Sequence, residues 1–159
     1  MLFRSLLRGV HGTNHASAVD MDNSESGEDR RQAYAGGQDI RDRATAFASR
    51  VVRLCARLHR EGGIGRIMSS QLVNCATSVS GMLEEARAAE SRRDFTSKCC
   101  IALKECREEH ARLKIAEDCD IAREETRGLR DEAGELVAII SAIVRNTKRN
   151  TGLPPRGRT

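Results

Sequence analysis

One pattern recurs along the chain: apolar positions that step alternately by four and three residues. Leu72, Ala76, Val79, Leu83 and Ala86 follow it inside the stretch Ser69 to Leu103. This is the heptad seam of a helix that packs lengthwise on other helices. Ile40, Ala44, Phe47, Val51, Leu54 and Leu58 step the same way, as do Leu129, Ala133, Leu136, Ile140, Ile143 and Thr147. Phe95, Cys99, Ala102, Cys106, Leu113 and Ala116 mark an inward face between them. The spacing predicts four helices over about 39–59, 66–88, 92–117 and 122–148. The period never shortens to that of a strand.

Punctuation supports these bounds. Gly62-Gly63-Ile64-Gly65 ends the first helix, because glycine accepts the left-handed backbone that a C-terminal cap needs. Ser91 opens the third helix, with Asp94 placed for a capping box. Asp118-Cys119-Asp120 makes the last turn, with Asp120 as the cap of the helix that follows. Both prolines lie near the end of the chain, so neither interrupts a helix. Four helices of similar length with short connections predict an all-α fold, an antiparallel up-down-up-down four-helix bundle. Residues 1–38 show no sustained period and read as a disordered N-terminal tail. Residues 39–149 form the bundle, and 150–159 a basic C-terminal tail.

Composition narrows the class. Aromatic residues make up 3% of the chain and there is no Trp, so the core must be aliphatic and thin. No apolar run approaches the length of a membrane span. The opening MLFRSLLRGVHG lacks the apolar length and cleavage site of a signal peptide, which points to a cytoplasmic protein. Six cysteines in such a chain read as reduced thiols.

The candidate chemistry is sparse. Cys106 and His110 share a helical face, but the closely spaced cysteine pairs of a zinc site are absent. Cys99 and Cys100 are adjacent and diverge on a helix. Cys55, Cys75, Cys99 and Cys106 fall on or beside seams and read as small packing residues. Glu84-Glu85 and the group Glu105, Glu108 and Glu109 read as a solvated face with intrahelical pairs such as Glu108–Arg112. No serine has an evident histidine and acid partner. The expectation is a non-enzymatic protein with no catalytic residue, metal or cofactor.

The basic residues are better organised. Arg43, Arg50 and Arg57 repeat every seven residues, and Arg53 and Arg60 lie on the neighbouring row. Residues 39–66 hold seven Arg against three acids. The C-terminal region adds Lys148 and Arg149, whereas residues 104–135 hold eleven acids against seven bases. This asymmetry predicts a positive and a negative face, the former able to track phosphates without reading sequence. The rival is an adaptor that recruits a protein through these faces. Helices one and four also carry surplus apolar edge, at Ala48, Val52 and Cys55 and at Val137, Ile139 and Val144, as a subunit interface would.

Four segments carry a resemblance: IRDRATAFASRVVRLC, SQLVNCATSVSGMLEEA, SRRDFTSK and IALKECRE. Over roughly residues 39–148 the chain resembles the four-helix bundle protein family. That family includes proteins encoded in intervening sequences of large-subunit ribosomal RNA genes, and the accessory protein of diversity-generating retroelements. The matching residues are mostly packing and capping positions. The resemblance implies a homo-oligomer, a pentamer, since family members assemble as five-fold rings. It also implies binding to RNA or DNA through basic surfaces, with a reverse transcriptase as a further partner.

Overall fold

The computed structural model describes residues 39–149. The expected N-terminal tail and the basic segment 150–159 lie outside the described residues. Four α-helices follow one another: α1 Ile40–Glu61, α2 Gly63–Arg87, α3 Arg92–Asp118 and α4 Arg123–Arg149. Among the described residues there is no strand.

Each seam is buried as its spacing requires. The five α2 seam residues are at most 1% exposed, and those of α1 and α4 join them in one continuous core. α1 packs on α2 and α4, and α3 packs on α2 and α4, so the helices run round the bundle in chain order. Cross-helix contacts establish their directions. Thr45 near the start of α1 meets Ser80 near the end of α2, 2.9 Å between hydroxyl oxygens. Lys98 near the start of α3 pairs with Glu85 near the end of α2. Arg127 near the start of α4 pairs with Glu117 near the end of α3, at 3.1 Å. Arg57 near the end of α1 pairs with Glu125 near the start of α4. Each neighbouring pair of helices is therefore antiparallel.

The connections explain two departures from the expected bounds. α2 begins at Gly63, so Gly62 alone separates it from α1. The tight reversal places Gly62 at φ 80° and Gly63 at φ 57°, a region that other residues enter at a cost. Ile64 and Gly65, expected in the turn, are already helical. A Cβ at Gly65 would sit 3.3 Å from the Leu58 carbonyl oxygen, so the missing side chain permits the close approach of α2 to α1.

At the far turn, Asp120 caps the helix before it, not the one after. Its φ is 58°. Its N–H donates to Glu117 O at 3.0 Å, and the Ile121 N–H donates to Ala116 O at 2.9 Å. That pair of bonds is a Schellman motif closing α3. Asp is among the few non-glycine residues that tolerate the conformation. By contrast Ser91 performs as expected: its Oγ accepts the Asp94 N–H at 3.1 Å and starts α3.

Candidate functional site

The basic stripe of α1 lies along the groove where α1 meets α4, and the groove changes its meaning. Arg43 Nε donates to Glu132 Oε1 at 2.6 Å, and Arg43 also pairs with Glu135. Arg57 Nη1 donates to Glu125 Oε1 at 2.8 Å, and a second bond makes the pair bidentate. These bonds raise the pKa of both guanidinium groups and hold the Glu125 and Glu132 carboxyls below their ordinary range. The acids expected on an opposite negative face thus lie against the positive one, because α4 runs antiparallel beside α1. Arg50, Arg53 and Arg60 are exposed and make no ion pair among the described residues.

Between the paired arginines the groove encloses about 280 Å³. Arg50, Arg53, Arg57, Glu124 and Glu125 surround it, over an apolar floor of Leu54 and Leu129. Gly128 lies beneath Arg50, where a Cβ would come 3.8 Å from Nη2.

The remaining predicted cations are elsewhere. Lys148 and Arg149 are exposed at the end of α4. Gly128 marks the level of Arg50, and twenty residues of helix at 1.5 Å per residue put Lys148 about 30 Å further along the bundle. The seven expected phosphate contacts therefore form two groups, not one patch.

The expected interface residues also divide. Ala48 and Val144 are each 6% exposed and belong to this chain's own core. Cys55 is buried with them. Val137 and Ile139 are half-buried and pack against that core. Val52 is 40% exposed and borders a groove between α1 and α2, lined by Thr45, Ala48, Ser49, Arg53, Thr77 and Ser80.

A polar group inside the bundle was not expected. Glu109, assigned by charge pattern to a solvated face, is 0% exposed, and neither carboxylate oxygen has a hydrogen-bond partner. The signal was in the spacing: between Cys106 and Leu113 the seam requires one more inward position, and Glu109 fills it. Burial pushes its pKa up to about 8, against the pull of the Arg112 guanidinium. The Cys55, Cys75 and Cys106 thiols are held well above 9.0 by burial, and the Glu109 charge adds to this in each. Nearer the surface the expected Glu108–Arg112 pair is present at 3.3 Å, and Arg112 Nη1 also lies 2.6 Å from Cys75 Sγ. Cys75 Sγ and one carboxylate oxygen from each of Glu105 and Glu108 are within 4.8 Å of one another.

A second buried acid, Glu117, is better served. Arg127 donates to one oxygen at 3.1 Å, and Arg130 lies 2.9 Å from the other without the alignment of a hydrogen bond. Among the described residues, no helix is long and apolar enough to cross a membrane.

These features define a small antiparallel four-helix bundle with an arginine-bordered groove on one side and a buried carboxyl within. Residues 38–142 match the family described as 23S rRNA-intervening sequence protein. That match spans more than half of the chain, and the chain belongs to this family. A crystal structure from Bacteroides thetaiotaomicron, described as a protein of unknown function from the S23 ribosomal protein family, is similar to it. The two share 29% identity at a TM-score of 0.62, over 67% of this chain and 99% of that one. None of the curated proteins matches the chain.

Proposed function

We propose that the protein is a non-enzymatic, cytoplasmic bundle that binds RNA or DNA as a homo-oligomer, a pentameric ring. The observation that carries this reading is the row Arg50, Arg53 and Arg60. These guanidiniums stand exposed on one helix and make no ion pair among the described residues. Arg is the residue that matches phosphate geometry with two parallel donors. Arg43 and Arg57 are already held by acids and serve less well; Lys148 and Arg149 make a second contact region at the far end. The family's association with ribosomal RNA genes supports a nucleic-acid ligand. A ring multiplies one weak patch into several copies acting together. Of the expected interface residues, Val52 is the most exposed, at 40%.

Fluorescence anisotropy with unrelated RNA and DNA oligonucleotides tests the reading. Affinity should fall steeply with salt, with a log–log slope of about −0.7 per contacted phosphate on a single strand. Changing Arg50, Arg53 and Arg60 together to Glu should weaken binding to every sequence alike and flatten that slope. No binding at low salt, or wild-type binding by the triple variant, refutes it. In that event the adaptor reading, with a protein such as a reverse transcriptase as partner, takes its place. Light scattering gives the assembly independently: wild type should run at several times 17.5 kDa, and Val52→Glu as a folded monomer.

A further inference from the structure

Neither conformation nor packing explains Gly128. It sits exposed in the interior of α4, where glycine weakens a helix relative to alanine. Its φ is not in the left-handed region, which among the described glycines holds only Gly62 and Gly63. An added Cβ would meet one atom within 4 Å, Arg50 Nη2 at 3.8 Å, an ordinary van der Waals contact. No neighbouring backbone therefore needs the space. What the absent side chain leaves open is the groove between α1 and α4. Three kinds of chemistry converge there. Arg50 and Arg53 are exposed guanidiniums with no ion pair among the described residues. Glu124 is 83% exposed and 3.6 Å from Arg127, beyond hydrogen-bond length, so its oxygens can still accept. Leu54 and Leu129 form the apolar floor. Arg57 and Glu125 already satisfy each other.

We propose, resting on the nucleic-acid reading of the arginine row, that this groove holds one unpaired nucleotide, so that the protein selects single-stranded RNA or DNA. A nucleotide offers a phosphate to Arg50 and Arg53, a flat ring to the leucine floor, and N–H groups of the base to Glu124. Guanidiniums bind phosphate oxygens with parallel donors. A base taken out of its stack rests on apolar or aromatic side chains and is held by hydrogen bonds at its edge. In a duplex those edges are paired and those faces stacked, so only an unpaired base can enter. The volume, about 280 Å³, lies near the lower end of small-molecule sites and has room for one planar ring system. An acidic peptide fits less well, because Glu124 and Glu125 line the same groove and repel its carboxylates.

The test compares strands of equal charge. Fluorescence anisotropy of the full chain at low salt is read with a single-stranded oligonucleotide and with an abasic strand of the same length, which keeps every phosphate and lacks every base. The intact strand should bind about five- to thirtyfold more tightly. It should also outcompete its own duplex, although phosphate density alone favours the duplex. Gly128→Leu fills the groove without changing charge and favours the helix. It should keep wild-type affinity for the abasic strand and lose the preference for the intact one. Gly128→Ala adds only the Cβ and should retain that preference. Both variants should melt at or above the wild-type temperature; if Gly128→Leu melts lower, the abasic comparison in wild type decides alone. Equal affinity of wild type for intact and abasic strands, or an undiminished preference in folded Gly128→Leu, overturns the inference and leaves phosphate binding by the arginines standing. No binding of any strand refutes both. Displacement of the strand by polyglutamate from wild type but not from Gly128→Leu assigns the groove to an acidic protein segment, and overturns the inference as well.

Discussion

α3 and α4 are both 27 residues long and pack against each other, yet they handle charge in opposite ways. α4 keeps its seam apolar from Leu129 to Ile143 and carries Glu125, Glu132 and Glu135 along an edge, where arginines of α1 meet them. α3 fills its seam with small thiols and then sets a carboxyl among them at Glu109. A charge at the edge of a seam remains partly hydrated, and its pairing is worth little either way. A charge within a seam loses its hydration and needs a partner of its own. The seam of α4 thus serves stability, and the polar stretch of α3 gives some of it up at Glu109.

The largest effect should come from the apolar side of this contrast. Ile140 is fully buried at the centre of α4, and Ile140→Ala should destabilise the bundle by about 2–5 kcal/mol in urea unfolding. A change near zero would mean that the α4 seam is not the main source of packing.

Glu109→Leu should go the other way, raising stability by about 1–3 kcal/mol, since an unbonded buried acid is replaced by a well-filled apolar site. Its pH signature has a definite sign. From about 4.5 to about 8 the unfolded chain has released the Glu109 proton and the folded chain still holds it. Stability from this group is complete below that window and falls by up to about 1.4 kcal/mol per pH unit as pH rises through it. Glu125 and Glu132 act oppositely, since their lowered pKa values lose stability only as pH falls through the carboxylate range. Urea midpoints of wild type at pH 5, 6.5 and 8 should therefore decline, and Glu109→Leu should flatten the decline. An unchanged slope would place Glu109 in contact with water.

The smallest effect belongs to the edge. Arg43→Ala breaks the pairs with Glu132 and Glu135 but leaves them beside solvent. The loss should stay within about 1 kcal/mol at low salt and shrink further at high salt. A loss as large as that of Ile140→Ala would show that the α1–α4 groove, not the seam, holds these helices together.

Much of the fold was legible in the residues because helical packing is periodic. A four-three step places a side chain on one face whatever the neighbours are, so the α1, α2 and α4 seams and the Ser91 cap could be read directly. Glu109 shows where reading by residue type fails: spacing placed it inward, chemistry suggested outward, and spacing won. The cap at Asp120 was misplaced because one turn residue can close the helix before it or open the helix after it. Only backbone geometry distinguishes the two.

What the sequence determined by itself is thus the four helices, their inward faces and the family. Those follow from local periodicity and capping, which need no knowledge of which helix lies beside which. Tertiary structure alone decided which charges meet. Antiparallel docking of α4 on α1 gave Arg43 and Arg57 acidic partners and left Arg50, Arg53 and Arg60 open. It separated Lys148 and Arg149 from them along the bundle. Docking of α3 on α2 brought Cys75 against Glu105 and Glu108, residues some thirty positions away. No spacing rule along one chain encodes such a contact, because it depends on the rotation and register of two helices against each other.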